Sequence, residues 1–406
     1  MKKCYTLLFT FLFVYPSFSQ NVELDTSYAI SGINKLNIYN STDNQCLLSK
    51  VQTDNKVVLC GSIRTANSTE YPYITRVLED GTLDSTFSGT GTLIDSSFID
   101  FTPYSIVLQD DGKIVVAGQQ YSIGQISGLI VRYNSNGTLD STFNNVGSIE
   151  VKPTSKNYFG RSITLLNNDI YLAGYIYVNS TNKDFFCAKL NTSGVLDNSF
   201  GLNGVVELDF GGKDICRGVS VQNDGKVILS GYNESLFKPI LSRLNTSGSI
   251  DTNFEATYQN STQQPYGAIY QTIIDDDNVI TGVGFSYDTI TGLINAFVSK
   301  INTDGSLNTF FANTGELNFN IPGEDTYGIY AAYYSGKKMV VVGNSGVAST
   351  FKMKLFALGI DESGNIDNNF MQGGVYVDTD SLGYNLLNAV SVTTNKKIIA
   401  TGYTEI

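Results

Sequence analysis

The stretch Asp110–Gly118 reads DDGKIVVAG, and altered copies of it recur along the whole chain. Hydrophobic runs close on Gly61, Gly118, Gly174, Gly231, Gly284, Gly343 and Gly402, which are separated by 57, 56, 57, 53, 59 and 59 residues. A spacing this regular marks one structural unit per repeat. Within the quoted stretch, Asp110, Asp111 and Gly112 form a tight-turn signal between two strands. Ile114–Ala117 is apolar without alternation, as in a middle strand covered on both faces. Working outward, Tyr104–Gln109 alternates and predicts the strand before the turn. Leu129–Tyr133 and Gly147–Val151 supply the third and fourth strands.

A second motif keeps step with the first: glycine, any residue, Leu or Ile, aspartate, two small polar residues, then an aromatic. It occurs at Gly81–Phe87, Gly137–Phe143, Gly194–Phe200, Gly248–Phe254, Gly305–Phe311 and Gly364–Phe370, with Asn308 replacing the aspartate in the fifth copy. Leu24–Tyr28 is a seventh copy without the glycine. No helical periodicity is visible. Four short antiparallel strands in each of seven repeats of about 57 residues predict an all-β, seven-bladed β-propeller. The rungs of a parallel β-helix, the main rival, are much shorter. The chain opens on the late half of a repeat and closes on the early half, so the strand predicted at Lys35–Tyr39 should complete the last blade. That blade is expected to be incomplete, because only Tyr403–Ile406 follow Gly402.

The motif aromatic is predicted to pack between adjacent blades. Arg76, Arg132, Lys189, Arg243 and Lys300 each lie seven residues before the motif Leu or Ile. Paired with Asp84, Asp140, Asp197 and Asp251, the first four would tie the third strand to the turn after it. The sixth copy breaks this register, with Gly359 at the basic position while Asp367 is kept.

Asp111–Gly118, Arg132–Asn134 and Gly137–Phe143 together resemble the delta-60 repeat, found in tandem in exported bacterial proteins. The resemblance runs over roughly residues 22–406. It implies a propeller-like fold, and it brings no catalytic motif.

Bulk composition narrows the partners. With 26 basic against 38 acidic residues and a net charge of −12, nucleic acid and anionic membranes are excluded as favoured partners. Met1-Lys2-Lys3, the apolar Tyr5–Tyr15, and Ser17 and Ser19 before Gln20 have the order of a secretory signal peptide over residues 1–19. Residues 20–406 are then one propeller domain of seven repeats, secreted or periplasmic or held at the cell surface. An apolar stretch of about 11 residues is too short to span a bilayer, so no membrane insertion is expected. Of the cysteines after the cut, Cys46 and Cys60 are the pair to consider for a disulfide; otherwise Cys46, Cys60, Cys187 and Cys216 are expected as small buried residues.

Chemistry is harder to find. The chain has no histidine, which removes Ser-His-Asp and Cys-His arrangements, imidazole metal sites and the commonest neutral-pH base. It has no tryptophan either. A carboxylate pair could still cleave glycosides, yet no spacing singles one out, and catalytic residues and organic cofactors are not expected. Asn302–Asn308 and Asp361–Asp367 are oxygen-rich enough for calcium, but the same residues suit tight turns, and Asp275–Asp277 falls at a hairpin.

Variable loops at the end opposite the repeated motifs are the place for recognition. Tyr121, Tyr175, Tyr177, Tyr232 and Tyr287 lie in or beside them and suit contact with a polysaccharide or protein. The sequence therefore predicts an exported binding or surface-interaction module. The two other readings are a structural portion of a larger secreted protein and a glycan-active hydrolase or lyase.

Overall fold

The turn chemistry closes the first hairpin of each repeat. At Asp110–Gly112 the Gln109 N–H donates to Lys113 O at 2.9 Å, and Lys113 N–H donates to the Asp111 Oδ1 at 3.2 Å. Gly112 takes φ +81°, a left-handed position that only glycine adopts without strain. Of the repeats lacking the glycine, three place Asn55, Asn168 or Asn278 there, with φ of 65°, 65° and 61°, since asparagine tolerates this region better than most residues, and the last places Lys396 at φ 68°.

The computed structural model describes residues 4–13, 22–25, 28, 33–36, 43–65, 68–261, 266–347, 352–371, 373–378 and 384–405. The chain divides into two compact units. One comprises Ser97–Ser286 with Ser299–Asn308, the other Met1–Ser96, Tyr287–Val298 and Thr309–Ile406.

In the Ser97–Ser286 unit, Phe101–Leu108, Ile114–Ser122, Gln125–Tyr133 and Ser148–Val151 form one antiparallel sheet in chain order. Asn157–Leu166, Asp169–Tyr177, Lys183–Leu190 and Val205–Leu208 form the next. Middle strands are covered on both faces as the unbroken apolar runs require: Val115, Val116 and Ala117 are at most 1% exposed. The core lies between sheets, where Val115, Ala117, Ile130 and Phe143 meet Tyr158, Ile170, Leu172 and Phe186. Each Val, Leu, Ile or Phe side chain among these contributes about 1.5–3 kcal/mol by leaving water.

The third sheet of this unit departs from expectation. It has three strands, Asp214–Val221, Val227–Asn233 and Lys238–Leu244, and is followed by a helix, Thr252–Ser261, where a fourth strand was predicted. Phe254 and Tyr258 stand four residues apart, one helical turn, and both are buried. The Asp251 Oδ1 accepts the Phe254 N–H at 3.3 Å, capping the helix start.

In the other unit, Asp43–Val51, Val57–Arg64, Glu70–Val77 and Thr92–Ile94 make one sheet, and Asp325–Ser335, Lys338–Gly346, Lys354–Ile360 and Val375–Val377 another. The expectation of seven blades is corrected here to six: among the described residues, six repeats each lay consecutive strands into their own sheet. The seventh supplies only the hairpin Tyr384–Val392 and Ile398–Glu405. Its sheet is made up by three strands from the chain start, with Cys4–Phe13 antiparallel to Ile398–Glu405 and in turn paired with Val22–Leu24 and Ile33–Leu36. Ile33–Leu36 thus reaches the sheet assigned to it, with Cys4–Phe13 lying between. Tyr5–Phe13, the apolar stretch of the expected signal peptide, is placed within this sheet, at odds with its removal; residues 37–39 of the predicted strand and Ser17, Ser19 and Gln20 of the expected cut lie outside the described residues. Side-chain bonds join this sheet to the first repeat: Thr401 Oγ1 lies 2.9 Å from Ser49 Oγ, and Asn388 Nδ2 donates to Cys46 O at 3.3 Å.

The third-strand cations reach the motif aspartates as expected. Arg76–Asp84 and Arg132–Asp140 close at 2.8 Å, Lys189–Asp197 at 2.7 Å and Arg243–Asp251 at 2.8 Å. Burial opposes ionisation of Asp140, but hydrogen bonds from Thr142 and the Arg132 charge hold its carboxyl below the usual range. Where Gly359 replaces the cation, Lys338 and Tyr334 supply the partners of Asp367, each at 2.7 Å. A side chain is excluded at Gly359, whose Cβ would fall 2.2 Å from that of Phe370. Motif aromatics pack across to the next repeat, Phe143 beneath Gly194 and Phe254 beneath Gly305. Cys46, Cys60, Cys187 and Cys216 are free and buried, and burial pushes the Cys46 and Cys216 thiols up to about 12.

Candidate functional site

The second strands run on past their closing glycines, and the first strand comes so close there that no side chain fits. In the Ser97–Ser286 unit a Cβ would lie 2.0 Å from Thr102 O at Gly118, 1.8 Å from Phe159 O at Gly174, 2.0 Å from Ile215 O at Gly231 and 1.9 Å from Ala268 O at Gly284. Opposite each glycine the ladder slips by one residue, between Pro103 and Ser105, Gly160 and Ser162, Cys216 and Gly218, and Ile269 and Gln271. A bulge of this kind re-aims one side chain. The residues so placed are Tyr104, Arg161, Arg217 and Tyr270. Their strands lie side by side: Ile163 N–H donates to Ser105 Oγ at 3.0 Å, Val219 N–H to Ser162 Oγ at 3.2 Å, and Ser220 Oγ lies 2.7 Å from Thr272 Oγ1.

Neighbouring bulges meet as cation–ring pairs. Arg161 Cζ stands 4.0 Å from the centre of the Tyr104 ring and 5.3 Å from that of Tyr175, and Arg161 Nη2 donates to the Tyr175 hydroxyl at 3.0 Å. Arg161 Nε is buried and makes no hydrogen bond. Arg217 Cζ stands 5.5 Å from the Tyr270 ring centre.

These two arginines differ from the rest. The chain has six, and Arg64, Arg76, Arg132 and Arg243 each reach a carboxylate at 2.8–3.1 Å. Among the described residues no carboxylate lies within ion-pair distance of Arg161 or Arg217.

An aromatic cluster adjoins Arg161. Phe159 and Tyr175 stack at 4.7 Å with 7° between their planes, and Tyr177 meets both edge-on at 4.9 and 6.1 Å. Lys183 Nζ lies 5.2 Å from the Tyr177 ring and pairs with Glu234 at 2.9 Å. Of the tyrosines singled out from sequence, the structure brings Tyr175, Tyr177 and Tyr232 together, Tyr232 packing against Phe159, Tyr175 and Ile215. Tyr175 is 8% exposed and Tyr177 37%. Tyr121, 55% exposed, lies opposite Ile126, which packs against Phe159 and Tyr175, and Tyr287 belongs to the other unit. Sequence reasoning passed over Tyr104, Arg161, Arg217 and Tyr270. Their signal is positional, 13 or 14 residues before each closing glycine, where other repeats carry Leu47, Ile329 and Asn388.

Asp184, Asp209 and Asp214 form a carboxylate group whose oxygens lie within 4.8 Å of one another and could hold a cation. Burial, then the charges of Asp209 and Asp214, push the Asp184 carboxyl up to about 6. Part of this group is already engaged: Asp214 accepts from Phe210 N–H at 2.8 Å and Asn233 Nδ2 at 2.7 Å. In the loops considered for calcium, Asp304 Oδ1 accepts from Ser306 N–H and Asp361 Oδ1 from Ser363 and Asn365 N–H, bonds internal to the turn.

The family described as "Domain of unknown function (DUF5122) beta-propeller" matches residues 52–87, 109–143, 167–200 and 222–254, the stretch from hairpin turn to motif aromatic in four successive repeats. The fold is an all-β propeller built from repeats; the narrower delta-60 assignment stays a resemblance. No curated protein matches the chain. Among solved structures, an acylaminoacyl peptidase from Pyrococcus horikoshii is 10% identical with a TM-score of 0.43, over 87% of this chain and 48% of that one. The propeller domain of the Trilobed protease from Pyrococcus furiosus is 9% identical with a TM-score of 0.43, over 88% and 94%. A subtype N10 neuraminidase-like protein of A/little yellow-shouldered bat/Guatemala/060/2010 is 10% identical with a TM-score of 0.42, over 90% and 99%. The chain spans about half the length of the peptidase and of a prolyl endopeptidase it also matches.

Proposed function

We propose that this propeller is an exported binding or surface-interaction module whose ligand is a polysaccharide, held in the Ser97–Ser286 unit around Tyr175, Tyr177 and Tyr232. The observation that carries the reading is the fixed Phe159–Tyr175 stack with Tyr177 edge-on to it and 37% exposed. An aromatic already locked by its neighbours loses little freedom when a sugar ring lies against it. Sheet strands on both sides hold the cluster, and Lys183 and Arg161 supply donors for hydroxyl or anionic groups. Affinity gel electrophoresis of the full chain against a panel of neutral and acidic polysaccharides tests the reading. Retardation by at least one of them is expected, weakened about fivefold by Tyr177→Ala, equivalent to about 1 kcal/mol from a sugar–ring contact. Unchanged mobility across the panel, or retardation indifferent to Tyr177→Ala and Lys183→Gln, overturns it.

A further inference from the structure

We infer that the ligand is an acidic polysaccharide, one whose sugar rings carry carboxylates, and that Arg161 and Arg217 receive the carboxylate between the tyrosines of adjacent first strands. The inference rests on the reading of this unit as a polysaccharide site. Four of the six arginines already hold a carboxylate of their own, and the two with none among the described residues occupy bulges on neighbouring strands. Repulsion does not account for this, because acidic residues outnumber basic ones 38 to 26 and carboxylates are plentiful. A guanidinium presents a planar fork that matches a carboxylate with two parallel hydrogen bonds. The Arg161 guanidinium is oriented by the Tyr104 ring at 4.0 Å and the Tyr175 hydroxyl at 3.0 Å. Arg217 is exposed beside Tyr270.

The overall charge sharpens the ligand class. A surface of net −12 repels a dense polyanion, so recognition must come from a local cationic spot. Two arginines between tyrosines suit a sugar chain with at most one carboxylate per ring, with the ring's apolar face on tyrosine. They do not provide the extended basic track that a nucleic acid or a heavily sulfated chain requires.

The test compares polygalacturonate, alginate and hyaluronan with methyl-esterified polygalacturonate and neutral glucans, by affinity electrophoresis and calorimetry on the full chain. At least one acidic chain is expected to bind tenfold or more tightly than the uncharged ones, and esterification to remove the preference. Arg161→Gln/Arg217→Gln should lose that tenfold, Arg161→Lys should recover only part of it, and Arg64→Gln, removing an arginine already paired with Glu70, should change nothing. Melting curves confirm that each variant is folded. Should Arg161→Gln/Arg217→Gln not fold, the single exposed-site variant Arg217→Gln and the ester comparison carry the test. Equal binding of the acid and its ester, or unchanged binding by a folded double variant, overturns the carboxylate inference and leaves the polysaccharide reading standing. Binding by no polysaccharide at all, or only by an acidic peptide, overturns both.

Discussion

Arg132 and Arg161 belong to successive repeats of one unit, and they are built for different work. Arg132 leaves a third strand, closes on Asp140 at 2.8 Å, lies 4.7 Å from the Phe143 ring and reaches the Thr192 carbonyl in the next repeat. Nearly every donor it owns is spent inside the protein. Arg161 sits at a bulge, leans on two tyrosines and, among the described residues, has no carboxylate within ion-pair distance. Where a third-strand cation and a motif aspartate are both present, the turn end is thus a closed ionic network, repeated with little variation. The bulge positions keep the same backbone and change the side chain from repeat to repeat. Conformity at one place and variation at the other separate what holds the fold from what is free to take a ligand.

The largest effect that would break this contrast is a change at the glycine beneath a bulge. Gly174→Val puts atoms where Phe159 O already stands and is expected to cost 4 kcal/mol or more, on the order of the most severe single substitutions, read as failure to melt cooperatively. Next is the ion pair itself. Asp140→Ala leaves Arg132 charged and buried and should cost about 3–5 kcal/mol, while Arg161→Gln should stay within about 1 kcal/mol by urea unfolding. A double-mutant cycle over Arg132 and Asp140 that proves additive would dissolve the distinction.

A pH profile sharpens the comparison, because two aspartates on this unit have shifts of opposite sign. The Lys189 hydrogen bond, then those of Ser199, lower Asp197 to about 2, so its contribution is present above the unfolded value of roughly 4 and lost as pH falls toward 2. Asp184 is raised to about 6, so its contribution is full below roughly 4 and lost as pH rises through 6. Asp184→Asn should remove the second change and leave the first, as followed by melting temperature between pH 3 and 8. The smallest effect is expected at Tyr121, which among the described residues makes no ring contact with the cluster: Tyr121→Ala should alter polysaccharide binding by less than twofold, and a larger loss would move the binding face.

Much of the fold was legible in residues 110–143, since turn residues, an apolar middle strand and the Arg132–Asp140 register each have a local cause. The helix Thr252–Ser261 was hidden because Phe254 fills the same motif position as Phe143, and only Tyr258, four residues on, betrays the helical face. The six-blade count was hidden because the seventh closing glycine, Gly402, looks like the others although its repeat supplies one hairpin. Of the site, Tyr175, Tyr177 and Tyr232 could be named from loop position. Arg161 and Arg217 could not, because a bulge is invisible to alternation: it changes which face a side chain takes without changing the apolar pattern around it.

The bonds between the last hairpin and the first repeat bear on how the chain reaches this structure. Most strand pairings join neighbouring segments, whereas Thr401 and Ser49 meet across 352 residues, and Asn388 and Cys46 across 342. Closing so long a loop costs entropy that grows with its length, and folding slows as the share of distant contacts rises. Pairing residues 384–405 with residues 43–51 therefore carries a larger loop-closure cost than forming any single hairpin.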